Sequence, residues 1–128
     1  MWAKVILVFL GGGLGAVVRE FFMLLIPERH GAFPLDIFSA NVIASFILGL
    51  TFGNRRIDKV SDEFVLFVGT GVMGGMSTFS SFVFGAYSEM TSPGEMGLAA
   101  LYVISSAVVG YLLTWLGILA AKQRRPAA

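Results

Sequence analysis

The sequence has few charged residues and no cysteine. Only 13% of its 128 residues are Asp, Glu, Lys or Arg, whereas a soluble domain has about 25%. The absence of cysteine excludes disulfide bonds, thiolate catalysis and cysteine-ligated metal sites. The formal net charge is only +1, and a nucleic-acid-binding surface needs clustered basic residues, so no nucleic-acid partner is predicted.

Ionisable groups are scarce inside the apolar segments. The one carboxylate expected within such a segment is Glu20, and the only histidine, His30, falls in a connection. Proton-coupled transport and general acid–base catalysis both need an ionisable side chain inside the protein. No Gly-rich loop followed by Lys and Ser or Thr is present, so a P-loop ATPase is excluded. The sequence therefore does not predict an enzyme.

What the sequence does have is apolar length. Hydrophobic residues make up 56% of the chain, and the mean hydropathy is +0.82. A helix needs about 20 mostly apolar residues to cross a bilayer, and four segments qualify: residues 2–26, 37–53, 64–88 and 97–121. The connections between them carry prolines, charges or a Pro-Gly pair. We therefore predict an all-α membrane protein with four transmembrane helices in a single domain, residues 1–128.

The basic residues are divided unevenly between the two membrane faces that four spans define. The face that carries both termini and the second connection holds seven of them, and the other holds Arg19 and Arg29. Cytoplasmic connections carry an excess of Lys and Arg, so both termini of a single chain are predicted to be cytoplasmic. The seven are Lys4, Arg55, Arg56, Lys59, Lys122, Arg124 and Arg125.

One motif near the N-terminus resembles a dinucleotide-binding fingerprint. Gly11, Gly13 and Ala16 fit G-x-G-x-x-A, and Asp36 lies about where that fold places its ribose-binding acid. The fingerprint needs a βαβ unit and a parallel sheet, and three further hydrophobic spans cannot supply them. We therefore expect no nucleotide site.

Glycines recur four residues apart in three of the spans. The pairs are Gly11 and Gly15, Gly49 and Gly53, and Gly71 and Gly75. This spacing is typical of membrane helices whose backbones pack closely, and packing is the first interpretation for most of them. GTGVMGGMST, residues 69–78, is the weakest helical stretch because each glycine costs about 1 kcal/mol relative to alanine. A broken helix at membrane depth exposes carbonyls that bind cations, so we predict a break from Gly74 to Ser77.

Aromatic and polar side chains follow the predicted break. Phe79 and Phe82 are three residues apart and share a helical face, with Ser81 beside them. The edge of an aromatic ring is positive and attracts an anion, whereas its face attracts a cation, and the sequence does not fix which way these rings point. Arg19 would add a positive charge at depth, or it could extend to the membrane surface.

Polar groups also occur in the second and fourth spans. Asn41 would be costly to bury without a partner, so it either joins helices or binds a ligand. Tyr102, Ser106, Gly110 and Thr114 recur every four residues and form one stripe, for which interhelical hydrogen bonding and ligand binding are equally open. These neutral donors carry no fixed negative charge and suit a small anion better than a cation.

Three of these motifs together resemble the signature of a known family. GGLGAVVR at residues 12–19, Asn41, and GGMSTFSSF at residues 74–82 are similar to the small bacterial fluoride channels of the Fluc or CrcB family, and the resemblance covers all four spans. It implies an antiparallel homodimer with two fluoride pores and a structural sodium ion between the subunits. It also implies passive export of fluoride across the bacterial inner membrane, which protects the cell from this ion.

The resemblance also implies roles for individual residues. Gly74 and Ser77 match the positions whose backbone carbonyls hold sodium, two from each subunit, and Arg19 matches the arginine of the first helix. The residues that match the fluoride pore are Asn41, Phe79, Ser81, Phe82, Tyr102, Ser106 and Thr114. The chain departs from the family pattern at Gly110, where a hydroxyl can occur, and at residues 83–85, VFG, where a serine and a glutamate are expected.

Two other functions stay open at this stage. A small drug-resistance-type exporter has the same size and four spans, but it relies on a glutamate in its first span, and Glu20 is next to Arg19 near the helix end. The second open function is a non-transporting subunit of a larger membrane complex. It would conduct nothing as a purified homodimer, and it would accept any apolar residue at Phe79 and Phe82.

Overall fold

The computed structural model describes residues 2–26 and 32–123, and the regular structure within them is helical. The elements are α1 (Trp2–Leu25), α2 (Leu35–Arg55), α3 (Asp62–Phe64), the π-helix π1 (Val65–Val72), α4 (Met73–Met76), α5 (Phe79–Thr91) and α6 (Met96–Gln123). Four helical stretches of the described chain are long and apolar enough to cross a membrane, namely α1, α2, Asp62–Thr91 and α6. The prediction of an all-helical fold with four spans is confirmed.

No strand occurs between residues 2 and 26 or between 32 and 123. α1 continues without interruption through Gly11, Gly13 and Ala16, the positions of the apparent dinucleotide fingerprint. The expected absence of a βαβ unit therefore holds throughout these two ranges. The basic residues Arg29, Arg124 and Arg125, together with His30, lie outside the described residues.

The helices extend beyond the apolar segments from which they were predicted. α2 begins two residues earlier than expected, at Leu35, and α5 continues to Thr91. A helix needs backbone hydrogen bonds rather than apolar side chains, so its ends run on into polar sequence. As a result, Asp36 and Glu89 are helical and buried. Asp36 and Glu89 therefore join Glu20 as carboxylates of the membrane-capable helices.

Helix packing divides the molecule into two groups. α1 packs against π1 and α4, whereas α6 packs mainly against α2 and also against α5. α2 contacts elements of both groups and therefore joins them. At this junction Ala40 and Ala44 of α2 form a buried cluster with Met73 and Met76 of α4. Flexible methionine side chains fill the space that the small alanines leave.

Glycine contacts bring α1 directly against the third span. A Cβ atom at Gly15 would collide with the carbonyl oxygen of Val72, and one at Gly75 would collide with the carbonyl oxygen of Gly12. Other atoms also lie within 3.0 Å of the Cβ positions built at Gly11, Gly49, Gly53 and Gly71. The interpretation of the paired glycines as packing sites is confirmed, since the close approach of these backbones leaves no room for a side chain.

The third span changes helix type before it breaks. At the end of π1 the Met73 N–H donates to the carbonyl oxygen of Val68, five residues back, which is the π-helical spacing. π1 passes directly into α4, so residues 62–76 form one uninterrupted helical segment. The segment ends at Met76, and α5 starts again at Phe79.

Candidate functional site

The break in the third span consists of two extended residues. Ser77 has φ −86° and ψ 138°, and Thr78 has φ −144° and ψ 129°. The Ser77 hydroxyl donates to the Met73 carbonyl at 2.8 Å and covers the end of α4. The Thr78 hydroxyl oxygen accepts the Ser81 N–H at 3.2 Å and caps the start of α5. The hydroxyl residues therefore terminate one helix and begin the next.

The predicted break is present, but it begins later than expected. Gly74 and Gly75 are still helical within α4. Gly75 has a different role, because it allows α1 to approach at Gly12. The prediction that glycines break the helix is wrong, and the extended backbone of Ser77 and Thr78 breaks it instead.

A crevice lies beside the break and collects polar side chains from three elements. It is narrow, with too little space for a water molecule, and Arg19, Asn41, Thr78 and Ser81 are among its lining residues. The Nε atom of Arg19 is buried and has no hydrogen-bond partner among the described residues. A buried guanidinium nitrogen needs an acceptor, and the neighbouring amide and hydroxyl groups can donate as well as accept. The donors of the crevice are therefore chemically suited to an anion, which would have to widen the crevice to enter.

Aromatic rings form a continuous series on the other side of the α5 start. The ring centroids of Phe79 and Phe82 are 6.1 Å apart with an interplanar angle of 33°, and those of Phe82 and Tyr102 are 5.4 Å apart at 34°. Phe33 extends the series, because its ring meets Tyr102 edge to face at 5.5 Å and 81°. Phe79 is 79% exposed and forms the outer end of the series, whereas Tyr102 is fully buried.

The hydroxyls at the two ends of the polar stripe on α6 differ in their hydrogen bonding. The hydroxyls of Tyr102 and Ser106 are buried and have no hydrogen-bond partner in the described parts of the chain. Thr114 lies about 18 Å beyond Tyr102 and about 12 Å beyond Ser106 along the helix, and its hydroxyl is within reach of the carbonyls of Gly110 at 2.9 Å and Ser45 at 3.2 Å. Thr114 therefore joins α6 to α2, whereas the first two hydroxyls remain available to a ligand.

The structure shows what surrounds the two places where the sequence departs from the family pattern, Gly110 and residues 83–85. A Cβ atom at Gly110 would lie 3.5 Å from the Ser45 hydroxyl oxygen, so this glycine faces the second span. Gly85, the last residue of VFG, is buried, and its Cβ would lie 3.3 Å from the Tyr102 hydroxyl oxygen. Gly85 therefore packs against that hydroxyl, and without a side chain it offers the hydroxyl no side-chain hydrogen-bond partner.

The two residues expected to hold sodium lie at the end of α4, and neither lines the crevice. Gly74 is exposed, and no atom lies within 4 Å of its Cβ position. Ser77 is extended, so its carbonyl does not join the helical ladder of α4. No group of three or more His, Cys, Asp or Glu side chains suited to a metal occurs within residues 2–26 and 32–123.

The sequence patterns do not predict the ring contact of Phe33 or the burial of Asp36. They single out Glu20, which proves to be exposed. Phe33 lies in a proline-bearing connection, where nothing in the local sequence signals a contact with Tyr102. Asp36 is 1% exposed in the first turn of α2, and the preceding Pro34 is a recognisable start signal for that helix. Glu20, the candidate coupling residue of an exporter, is exposed on α1.

Comparison with known proteins finds close relatives over nearly the whole chain. A profile of the family described as "CrcB-like protein, Camphor Resistance (CrcB)" matches residues 6–118. "Fluoride-specific ion channel FluC 3" of Yersinia pseudotuberculosis serotype I is 48% identical over 122 residues, which cover 95% of this chain and 91% of that protein. "Fluoride-specific ion channel FluC" of Pyrococcus abyssi is 39% identical over 119 residues, or 92% and 95% of the two chains.

A relative from Brucella abortus biovar 1 is much longer. This protein, "Fluoride-specific ion channel FluC 1", is 43% identical over 114 residues, which cover 88% of the present chain and 42% of the relative. The family profile, by contrast, extends through parts of all four membrane-capable helices. The chain is therefore a multi-pass membrane protein that belongs to the CrcB family.

Proposed function

We propose that this protein is a passive, fluoride-selective channel that lets fluoride leave the bacterial cell across the inner membrane. The observation that carries the proposal is the arrangement at the break, where an unpartnered Arg19 and Asn41 face the same crevice as the hydroxyls of Thr78 and Ser81. Relatives named as fluoride-specific ion channels support it. The channel confers fluoride resistance and catalyses no reaction.

Fluoride selectivity requires that donors replace water around a strongly hydrated ion. Arg19 attracts the anion to the crevice, and Asn41 and Ser81 donate hydrogen bonds to it there. The rings of Phe79 and Phe82 border the path with their positive edges. The buried hydroxyls of Tyr102 and Ser106 are the next available donors. Thr114 lies at the end of the path and fixes α6 to α2 there, since its hydroxyl already donates to a carbonyl of α2.

The conducting unit is an antiparallel homodimer with two pores. Phe79 is 79% exposed, so one protomer does not enclose the path at this ring. A second copy in the opposite orientation would cover it and would present its own Phe79 in the same way, which gives two equivalent pores. The remaining apolar surface of each protomer contacts membrane lipid.

A sodium ion between the two copies fits the carbonyls of Gly74 and Ser77. Gly74 is open on its outer side, and the Ser77 carbonyl is freed by the extended backbone. Two copies would together present four carbonyl oxygens, which are hard ligands of the kind that such cations prefer. When bound, the ion supplies a positive charge that offsets the presence of anions in a poorly solvated protein interior.

The proposal is tested by anion efflux from liposomes that contain the purified protein. Vesicles are loaded with potassium fluoride or with potassium chloride, and valinomycin supplies the balancing potassium current. We expect rapid loss of fluoride and retention of chloride. Retention of both anions by a folded protein would contradict the proposal and favour a non-transporting subunit, whereas fluoride loss that needs a proton gradient would favour a coupled exporter.

A further inference from the structure

A basic pocket lies between the ends of α2 and α6, away from the proposed fluoride path. It has a volume of about 350 Å³ and is lined by Gly53, Arg56, Ile57 and Lys122. Arg56 is the C-terminal cap residue of α2, and Lys122 is in the last turn of α6. Both helices are long and apolar enough to span the membrane, so the pocket opens where phospholipid headgroups lie.

The pocket floor is made by close contact between the two helices. A Cβ atom at Gly53 would lie 2.7 Å from the Ala121 Cβ and 3.1 Å from the Ile118 Cα. The helices cannot separate or rotate at this point without losing that contact. The two basic side chains are therefore held on either side of a defined gap, and half-buried Ile57 gives the gap one apolar wall.

The charges of this pocket are not neutralised by the protein. Arg55 is occupied, because its Nε and Nη1 atoms bind Asp62 and Asp58 at 2.7 and 2.8 Å. Neither Arg56 nor Lys122 forms an ion pair with a described residue. Both side chains are exposed, so each attracts an anionic headgroup as a surface cation does, with about 1 kcal/mol of interaction energy for each basic residue.

Exposed aromatic residues lie on the same two helices, on the membrane side of the two cations. Phe52, four residues before Arg56, is 44% exposed, and Trp115, seven residues before Lys122, is 50% exposed. Both spacings place the aromatic residue on the same helical face as the cation. A ligand that joins a phosphate to long acyl chains satisfies both surfaces, whereas free phosphate satisfies only one.

We propose that this pocket binds the phosphate-bearing headgroup of an anionic phospholipid, with the acyl chains lying along Phe52 and Trp115. Basic pockets between membrane helices on the positively charged face bind such headgroups. The proposal is independent of fluoride transport, because none of the pocket residues lines the crevice or the series of aromatic rings.

The test is native mass spectrometry of the purified protein in detergent, titrated with phosphatidylglycerol and, separately, with phosphatidylcholine. We expect retained phosphatidylglycerol to exceed retained phosphatidylcholine. The double variant Arg56→Gln, Lys122→Gln should bind phosphatidylglycerol about 25-fold more weakly, since each basic residue near the surface contributes roughly fivefold. Lys4→Gln with Lys59→Gln is the matched control, because it removes the same charge from the same face outside the pocket.

The control should change phosphatidylglycerol binding less than about twofold, which is small beside the effect expected of the pocket charges. Equal losses in the two double variants would overturn the proposal and assign the affinity to the general charge of this face. Competition of bound lipid by millimolar inorganic phosphate would overturn the lipid assignment in favour of free phosphate. Equal binding of the two lipids by the unchanged protein would also overturn it. Fluoride efflux from phosphatidylcholine vesicles should be the same in both double variants.

Discussion

Tyr102 combines complete burial with a hydroxyl that has no hydrogen-bond partner among the described residues. Such a group costs about 1–3 kcal/mol of stability. Gly85 faces it without a side chain, and Phe82 stacks on its ring at 5.4 Å. A buried hydroxyl that costs stability and has no partner in the protein is suited to donating to an ion rather than to holding helices together.

Replacing Tyr102 by phenylalanine should separate stability from transport. Tyr102→Phe removes the unpartnered hydroxyl and keeps the ring, so the free energy of unfolding should stay the same or rise by up to about 1 kcal/mol. Fluoride efflux should fall, because the path loses a donor. Detergent unfolding and liposome efflux measure the two quantities. Tyr111→Phe is the matched control, since Tyr111 is 72% exposed on the same helix. A loss of stability with normal efflux would make the hydroxyl a structural group.

The rings of Phe79 and Phe82 give a second prediction. Phe79→Ile or Phe82→Ile keeps apolar volume but removes the positive ring edge, so fluoride efflux should fall roughly tenfold, equivalent to about 1.4 kcal/mol in the barrier. The protein should still elute as the same oligomer. Phe84→Ile is the control, because Phe84 is 62% exposed on α5 outside the ring series. Unchanged efflux in both ring variants would remove these residues from the pore.

Local spacing predicts some of these residues and not others. The common face of Phe79 and Phe82 follows from helical geometry alone, and the 6.1 Å ring distance agrees with it. The partners of Tyr102 and Thr114 depend on contacts distant in sequence, such as the Thr114 to Ser45 bond across 69 residues. Only the bond from Thr114 to the Gly110 carbonyl four residues back is local and predictable for a threonine in a helix.

At the scale of helices, glycine contacts determine which elements pack against each other. Gly15 and Gly75 place α1 in backbone contact with π1 and α4, the first half of the third span. The second half, α5, packs mainly on α6. The extended residues Ser77 and Thr78 are therefore the junction between two packing groups rather than a weak point in one helix.

Alanine substitutions in α1 should have opposite effects at two nearby glycines. Gly15→Ala would drive a methyl group into the Val72 carbonyl, so we expect a loss of about 1–3 kcal/mol in unfolding free energy. Gly13→Ala meets no atom within 4 Å and should add up to about 1 kcal/mol through helix propensity. Unfolding in mixed micelles provides the measurement. If both variants lost stability equally, the cause would be a general intolerance of α1 and not this contact.

The sequence predicts that the third span breaks but misplaces the break. Helix propensity identifies the glycines from Gly69 to Gly75 as the weakest part. Gly71 and Gly75 offset the intrinsic cost of glycine because they allow close packing on α1, so that part stays helical, in part as the π-helix π1. The break moves to Ser77 and Thr78, where the hydroxyls supply caps. Propensity alone does not include the contribution of a neighbouring helix.

At the scale of the whole molecule, the charge distribution bears on the proposed antiparallel pair. Lys4, Arg56 and Lys122 belong to the face that carries seven of the nine basic residues. Asp58 and Asp62 lie on the same face and neutralise Arg55. The effective excess of positive charge is therefore smaller than the count suggests, although acidic residues weigh little in membrane orientation.

The absence of native cysteine makes orientation directly measurable. Glu63→Cys and Met96→Cys place single thiols at exposed positions on opposite faces, at the start of α3 and at the start of α6. An antiparallel homodimer inserts in both orientations, so a membrane-impermeant maleimide added to intact cells should label about half of each variant. Complete labelling of one variant and none of the other would show a single orientation and contradict the dimer proposed here.

Hydropathy is sufficient to predict the number of spans, because each helix must satisfy its own backbone within lipid. It does not predict that α2 joins the two packing groups through Ala40 and Ala44, since that depends on the fit of small and large side chains. The sequence of one chain gives even less indication of a partner subunit. Only the 79% exposure of Phe79, a feature of the folded protomer, points to it.

The division of the third span also has a consequence for biosynthesis. In a chain made from its N-terminus, α1 and residues 62–76 can pack against each other before α6 is synthesised. α2 and α5 both lack their main partner, α6, until that last helix is made. A nascent chain that ends before Met96 would carry Phe79 and Phe82 without Tyr102 to stack on. The arrival of the last helix is therefore the step of synthesis that completes the ring series.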